Sequence, residues 1–225
     1  MDWLAIGLTL KLAFFTTLIL LVGGLPIGYW LATTRSRFRL LIEALVTLPL
    51  VLPPTVLGFY LLTASGSQSW AGQLFESLTG SKIAFTFAGI LAGSVIVNLP
   101  FAVRPFTAAF ANLDRQLLEA SWCLGESKWN TLRRIGLPLC WPGILAGIVL
   151  TFAHTVGEFG VVLMIGGNLP GVTRTLSISI YDDVQALDYA AAGRTSLLLL
   201  SSAIVAILIA HSLSPRGAMR QGGPR

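Results

Sequence analysis

Five long apolar stretches constrain this chain more than any other feature of its sequence. They cover residues 12–30, 44–64, 83–103, 136–157 and 195–214, and each is free of Asp, Glu, Lys and Arg. A helix needs about 20 apolar residues to cross a bilayer, and in lipid the backbone N–H and C=O groups must be paired within the segment. A soluble bundle would need a polar face on each helix, which these stretches lack. The sequence therefore predicts an all-α integral membrane protein with five transmembrane helices.

The composition agrees, because 54% of the residues are hydrophobic and only 11% are charged, against about 25% charged in soluble domains. The first apolar stretch is longer than the hydrophobic region of a signal peptide, and no small-residue cleavage site follows it before "TTRSRFR". We therefore expect it to remain as a membrane helix. The two cysteines, Cys123 and Cys140, have no metal or disulfide spacing, so no metal or cofactor is predicted.

Basic residues predict the orientation, because Lys and Arg accumulate in cytoplasmic loops. With five spans, eleven basic residues fall on one side and four on the other. The eleven are Arg35, Arg37, Arg39, Arg104, Arg115, Lys128, Arg133, Arg134, Arg216, Arg220 and Arg225, and the four are Lys11, Lys82, Arg174 and Arg194. This split predicts an outside N-terminus and a cytoplasmic C-terminus. It also explains the net charge of +5 without any binding of nucleic acid.

The stretch "EASWCLGESKWNTLRRIGLPL", residues 119–139, is a charged island between two apolar runs on the predicted cytoplasmic side. Asn112 or Asp114 can cap a short helix here, and Gly125 can supply the left-handed conformation that ends it. A second helical stretch, 126–135, leads to Pro138. A cytoplasmic helix with exposed Leu and Trp side chains favours docking into a groove on a partner.

The spacing within the charged island resembles the EAA loop of permease subunits of bacterial ABC importers, whose pattern is E-A-A-x3-G-x9-I-x-L-P. The matching residues are Glu119, Ala120, Ser121, Gly125, Ile135, Leu137 and Pro138, and only Ser121, in place of the second alanine, departs from the pattern. The resemblance implies the type I ABC importer permease fold, with a coupling loop that docks into a cleft on the ATP-hydrolysing subunit. It also implies a homodimer, an ATPase dimer and a periplasmic binding protein as partners. We expect Glu119 to hold the docking helix by bonding to a nearby cationic group or backbone N–H.

The chain itself is not predicted to be an enzyme. It lacks the G-x-x-x-x-G-K-[ST] phosphate loop, and the nearest stretch, "LTGSK", lacks the first glycine. It also lacks the H-E-x-x-H and G-x-S-x-G motifs that an integral membrane enzyme could use. A stand-alone channel is a second alternative, but an ATPase-docking loop would have no use in one.

Two further stretches, 48–62 and 157–181, resemble the second span and the region after the EAA loop in molybdate or tungstate permeases. This resemblance, which "LDRQLLEASWCLGESKW" continues, implies a molybdate importer in the bacterial inner membrane and a periplasmic molybdate-binding protein. A sulfate or thiosulfate permease is the alternative within the same class, although those chains are usually longer and have a sixth span.

A few polar residues within the spans are candidates for the translocation path or its gate. Acids are costly at membrane depth, so Glu158 suggests a functional or structural task. His154 lies four residues earlier on the same helical face and could share a hydrogen bond with it. Because a carboxylate would repel a dianion, we favour a structural role for Glu158. The full candidate set is Thr55, Asn98, His154, Thr155 and Glu158.

The remaining expectations concern the domain limits and one outer segment. Residues 8–214 are predicted to form the transmembrane domain, and 215–225 a flexible basic tail. Segment 174–194 has Ile178, Tyr181, Val184, Leu187 and Ala191 at helical spacing, which favours an interfacial helix. The nearby acids Asp182, Asp183 and Asp188 would face water, either as a solvated surface or as a dock for the binding protein.

Overall fold

The computed structural model describes residues 2–66 and 68–213, and its regular structure over these residues is entirely helical. The helices are α1 Trp3–Thr33, α2 Arg39–Val51, α3 Pro54–Ser65, α4 Trp70–Thr79, α5 Phe87–Ala111, α6 Arg115–Cys123, α7 Lys128–Thr131, α8 Leu137–Gly157, α9 Gly160–Gly166, α10 Leu176–Gln185 and α11 Tyr189–Leu213. A π-helical segment, Leu132–Gly136, joins α7 to α8. The all-helical membrane fold predicted from the sequence is confirmed.

The second predicted span is not one helix. Stretch 44–64 is divided between α2 and α3, whose axes are bent by 112°. Leu52 ends α2 and Pro53 precedes α3; since the adjacent prolines Pro53 and Pro54 lack backbone N–H groups, the helical hydrogen bonds are interrupted there. Among the described residues, four helices are long and apolar enough to span a membrane, or five if the bent pair counts as one span.

The other long helices extend beyond the predicted apolar stretches. α1 begins at Trp3, where Asp2 accepts a hydrogen bond from the N–H of Ala5 at 3.0 Å. α5 continues to Ala111, so Arg104, which we had placed in a loop, lies inside the helix. A long cationic side chain can remain on a membrane helix by extending its charge towards water. Residue 214 and the predicted tail, 215–225, lie outside the described residues.

The core of the bundle is built on α1 and α5, which run side by side in the same direction. Leu12 packs with Ile90 in one buried cluster, and Leu20 packs with Ala102 further along both helices. α8 runs antiparallel to α5, with the Sγ of Cys140 3.3 Å from the carbonyl oxygen of Ala109. We call the end of the bundle at the C-terminus of α5, where α6 and α7 follow, the island end, and the opposite end the far end.

The predicted interfacial helix over 174–194 is wrong in two respects. The helix α10 ends at Gln185, and Leu187 has a positive φ of 62° before α11 begins. Ile178 is fully buried with core residues of α1 and α5, because helical spacing alone does not distinguish a core face from an interfacial one. Asp182 does not simply face water either: it accepts hydrogen bonds from the amide of Asn168 and pairs with Arg174 at 3.2 Å.

Close packing of α1 on α5 generates a stability prediction. A Cβ at Gly28 would lie 2.7 Å from the Cβ of Phe106 and 3.1 Å from the backbone nitrogen of Thr107, whereas a Cβ at Gly23 would meet nothing within 4 Å. We expect Gly28→Ala to destabilise the protein by about 1–3 kcal/mol through overpacking. Gly23→Ala should be neutral or stabilising, by up to about 1 kcal/mol. Thermal unfolding of both variants in detergent checks this, and equal unfolding temperatures would contradict it.

Candidate functional site

The charged island folds as two short helices around a glycine. Asp114, one of the two predicted caps, begins α6 by accepting a hydrogen bond from the N–H of Gln116 at 2.8 Å. Gly125 then adopts a φ of +87° with open space around it. The restriction at this position is therefore one of backbone conformation, which favours glycine over residues with a side chain.

A buried pair of hydroxyl groups holds the two short helices together. The Oγ of Ser121 on α6 lies 2.9 Å from the Oγ1 of Thr131 on α7, and both residues are buried. Glu126, between the helices, accepts hydrogen bonds from Asn130 at 2.9 Å and from Arg134 at 3.0 Å. Ser121 looked like a size-conserving departure from the EAA pattern, but an alanine there could not make the contact with Thr131.

The second half of the charged island is continuous with a membrane helix. Residues Lys128–Gly157 form one helix of 30 residues, which is about 45 Å long at 1.5 Å per residue. Ile135 lies in its π-helical segment, and Leu137 and Pro138 begin α8. A displacement of the charged island can therefore be transmitted along a single helix to the far half of the bundle.

The outward face of α6 is largely uncovered within the described part of the chain, although the Nζ of Lys128 lies 5.9 Å from the ring centroid of Trp122. Glu119 and Ala120 are exposed, as are the apolar side chains of Leu117, Trp122 and Leu124. The bond expected from Glu119 to a nearby group does not form, since its carboxylate makes no hydrogen bond or ion pair with residues 2–66 or 68–213. This face can therefore contact another protein.

A second polar site lies where α8 ends inside the bundle. Glu158 is extended between α8 and α9 and is only 7% exposed. Its Oε1 accepts a hydrogen bond from the N–H of Val161 at 3.3 Å, so the carboxylate pairs one of the backbone donors left free at the start of α9. This contact agrees with a structural role for Glu158.

His154 connects this break to α5. Its Nδ1 lies 3.0 Å from the Oδ1 of Asn98 and 3.9 Å from the Oε2 of Glu158. The hydrogen bond expected between His154 and Glu158 is thus made to Asn98 instead, which in turn donates to the carbonyl of Ser94 at 2.8 Å. The imidazole ring stacks on Phe101, with 3.8 Å between ring centroids.

This polar site lies close to mid-depth in the bundle. Asn98 is eleven residues from the start of the 25-residue helix α5, which places it about 17 Å along a helix of about 37 Å. The sequence predicts Asn98 and His154 as separate candidate residues. It does not predict their contact, which joins residues 56 positions apart. No local sequence signal could have indicated that pairing.

The other two candidates lie differently. Thr155 is buried, and its hydroxyl donates to the carbonyl of Thr151 on its own helix at 2.8 Å. Thr55 is exposed in the first turn of α3, next to Pro54, where α3 meets Gly160 of α9. The structure therefore brings Asn98, His154 and Glu158 together. Thr55 lies beside the break between α8 and α9, and the hydroxyl group of Thr155 bonds to the backbone of α8.

The helices α3 and α9 form a pair, which we call the α3–α9 pair, that packs on the far half of α5. Pro54 contacts Gly160, and Gly58 contacts Met164 and Val161, so the two helices run side by side in the same direction. Ile165 contacts Gly93 on α5 and accepts a hydrogen bond from the N–H of Phe85 at 2.9 Å. The α3–α9 pair thus extends from the polar site towards the far end.

A large cavity among the described residues lies elsewhere. It has a volume of about 870 Å³ and lies between α1, α8 and α11. Its lining is almost entirely apolar, with Phe152, Val156, Leu176 and Leu199 among the contributing side chains. Such a surface offers few hydrogen-bond donors, so it does not suit a charged solute.

Comparisons with known proteins identify the family. The sequence profile described as "Binding-protein-dependent transport system inner membrane component" matches residues 24–216. The molybdenum transport system permease protein ModB of Azotobacter vinelandii is 51% identical over 191 residues, which are 85% of this chain and 84% of that protein. A probable sulfate transport system permease protein of Chlorella vulgaris is 35% identical over 205 residues, 91% of this chain and 77% of its own.

The fold also has solved counterparts. A structure of inward-facing conformations of the MetNI methionine ABC transporter superposes with a TM-score of 0.68 at 19% identity, covering 93% of this chain and 94% of the other. At that identity the likeness concerns the fold alone. The family match covers most of the sequence, including the charged island and the polar site. The chain therefore belongs to the family of binding-protein-dependent transport system inner membrane components.

Proposed function

We propose that this chain is the permease subunit of an ABC importer that moves molybdate or tungstate across the cytoplasmic membrane. The observation that carries the proposal is the charged island, whose exposed helix and left-handed glycine leave a docking face connected directly to a membrane helix. The 51% identity to a molybdenum permease supports the choice of substrate. A sulfate or thiosulfate permease is the alternative, favoured by the 35% identity to a probable sulfate permease.

The charged island is the coupling element in this proposal. A separate ATPase subunit holds α6 through Glu119 and the exposed leucine and tryptophan side chains. The hydroxyl pair of Ser121 and Thr131 transfers the movement to α7, and the 30-residue helix carries it to the polar site. There Glu158 keeps α9 attached to α8, so the α3–α9 pair moves with the charged island.

Two identical chains enclose the translocation path in this proposal. The face of α5 opposite α1 adjoins the polar site, and its island half is uncovered in the single chain, where Arg104 and Ala108 are exposed. A second copy, placed against this face, closes a path at the interface. Thr55 and His154 lie on the path side, whereas the buried Asn98 and Glu158 support the gate from behind. A periplasmic binding protein delivers the oxyanion to the far end.

The orientation follows from the basic residues and from the position of the charged island. The ATPase is cytoplasmic, so the island end faces the cytoplasm and the far end faces outside. The N-terminus, at the far end of α1, is then outside, and α11 runs inward towards a cytoplasmic C-terminus. The loop cations on the island end agree with the preference of Lys and Arg for the cytoplasmic side.

The function is tested by reconstitution. The permease is purified with an ATPase subunit and a molybdate-binding protein and placed in liposomes. We expect molybdate to accumulate only when ATP and loaded binding protein are both present, because the permease has no ATPase site of its own. In a second experiment, the molybdate-binding protein is replaced by a sulfate-loaded binding protein from a sulfate importer, and sulfate accumulation is measured. Accumulation of sulfate alone would select the alternative, and accumulation of neither would overturn the proposal.

Coupling is tested within the charged island. Gly125→Val forces a side chain into a positive φ at a cost of about 1 kcal/mol or more, and Glu119→Lys reverses an exposed, unpaired charge. We expect both variants to reach the membrane, but to bind the ATPase less well and to lose stimulation of ATP hydrolysis by loaded binding protein. Co-purification and ATPase assays in liposomes measure both effects.

A matched control for Gly125 lies at the other end of the molecule. Gly80, at the end of α4, also has a positive φ, of 71°, and open space around it. Gly80→Val should carry a similar conformational strain without weakening ATPase binding. Normal coupling in both charged-island variants, or equal loss in the Gly80 control, would mean that the charged island does not couple.

Orientation is tested by thiol labelling. Cys123 on α6 is exposed, so it should react with a membrane-impermeant thiol reagent only when the reagent reaches the cytoplasmic side. In a Cys123→Ser background, Gln185→Cys at the far end should react from outside intact cells, and Ser36→Cys should not. Both positions are exposed in the structure. The opposite pattern of labelling would reverse the proposed orientation.

The role of Glu158 is tested by two substitutions. Glu158→Gln keeps a carbonyl oxygen for the N–H of Val161, so it should retain most molybdate uptake. Glu158→Ala leaves that buried donor unpaired, which costs about 1–3 kcal/mol, and should lower both thermal stability and uptake. Glu43→Ala, at an exposed ion pair with Arg39, is the control. If the Gln variant assembles fully but transports nothing, the negative charge itself is required.

A further inference from the structure

Arg104 is a cation on a membrane helix that has no partner in the described chain. It lies eighteenth of the 25 residues of α5, about 10 Å from the island end of the helix at 1.5 Å per residue. It is exposed, and it makes no hydrogen bond or ion pair with residues 2–66 or 68–213. Since an unpaired arginine is costly in hydrocarbon, its surroundings have to supply water or an anion.

The side of α5 that carries Arg104 is divided into a covered half and an open half. Towards the far end, Gly93 and Val97 lie under α9, where they contact Ile165 and Val161. Towards the island end, Arg104 and Ala108 are exposed on the same side of the helix. Arg104 is thus the first charged group on this face beyond the end of the α3–α9 pair.

Phe101 places Arg104 next to the polar site. It precedes Arg104 by three residues, so the two side chains are neighbours on the helix surface. Phe101 also stacks on the ring of His154, and the His154 side chain is about one third exposed. Glu158, the acid nearest to His154, is buried, and its Oε1 is bonded to backbone. The open surface beside Phe101 therefore carries the guanidinium group of Arg104, while the carboxylate of Glu158 is buried.

We propose that Arg104 binds the tetrahedral oxyanion on the cytoplasmic side of the α3–α9 pair, beside the stacked rings of Phe101 and His154. A guanidinium group presents parallel N–H donors to two oxygens of one anion, which suits a tetrahedral dianion. The site receives the anion once the α3–α9 pair opens and releases it towards the island end. The inference rests on the proposed function and assigns the residue that contacts its substrate.

A phospholipid headgroup presents the same phosphate-like chemistry. Arg104 lies near enough to the island end for its side chain to extend towards lipid headgroups. The position on the same side as Val97 and Phe101, opposite the helix α1 that packs on α5, favours the translocated anion. Binding measurements with molybdate and with an anionic lipid separate the two sources.

The test compares Arg104→Gln and Arg104→Lys with Arg35→Gln, which removes a cation from the exposed loop after α1. Each variant is reconstituted with the ATPase and the molybdate-binding protein. We expect Arg104→Gln to lower molybdate uptake about tenfold or more, as loss of a charge-assisted contact implies. ATP hydrolysis stimulated by loaded binding protein should remain, because the charged island is intact. Arg104→Lys should keep part of the uptake, and Arg35→Gln should resemble the wild type.

A binding assay identifies the anion. Molybdate should raise the unfolding temperature of the wild-type complex in detergent and have a smaller effect on Arg104→Gln. Phosphatidylglycerol should affect both alike. If phosphatidylglycerol stabilises only the wild type while molybdate stabilises both, Arg104 is a lipid anchor and the proposal is overturned.

The outcomes separate this inference from the proposed function. A wild-type complex that accumulates neither molybdate nor sulfate contradicts the function itself. A wild type that transports molybdate, together with an Arg104→Gln variant of equal uptake, contradicts the inference alone. Loss of ATPase co-purification in Arg104→Gln also counts against it, since the residue would then support assembly.

Discussion

A helix that stops inside a bilayer leaves backbone groups without partners, and the structure depends on how this chain satisfies them. α8 ends at mid-depth, and the carboxylate of Glu158 accepts from the N–H of Val161 where α9 begins. α3 begins beside the same point, with Pro54 against Gly160, and proline has no N–H to satisfy. The two helix breaks thus lie at the same place. Glu158, the only buried acid among the described residues, accepts a hydrogen bond from the backbone there.

The interruptions lie together, and in the proposed function they separate a static part of the bundle from a movable part. α1, α5 and α8 pack through small residues and buried aromatic rings such as Phe106, while the α3–α9 pair is joined to α2 and α8 through the short connections 52–53 and 158–159. The charged island reaches the junction between these parts through one unbroken helix. In the proposed function, this helix of about 45 Å connects the charged island directly to the polar site.

Local signals in the sequence predicted the features that depend on neighbouring residues. The long apolar helices, the Asp114 cap and the left-handed Gly125 all follow from composition and spacing. Contacts between distant residues could not be predicted: Asn98 and His154 are 56 positions apart, and helical spacing gave no sign that Ile178 is in the core. The sequence predicts a loop at Arg104 because the hydrophobic stretch ends before this charge, whereas the helix continues to Ala111.

The hydrogen bond from the N–H of Leu176 to the Oγ1 of Thr9 has a consequence for biosynthesis. It joins residues 167 positions apart, at the start of α1 and the start of α10. The far end of α1 can therefore complete this buried contact only after residue 176 has been synthesised. Until then the far end of α1 is incompletely packed, so a truncated or stalled chain differs physically from a finished one.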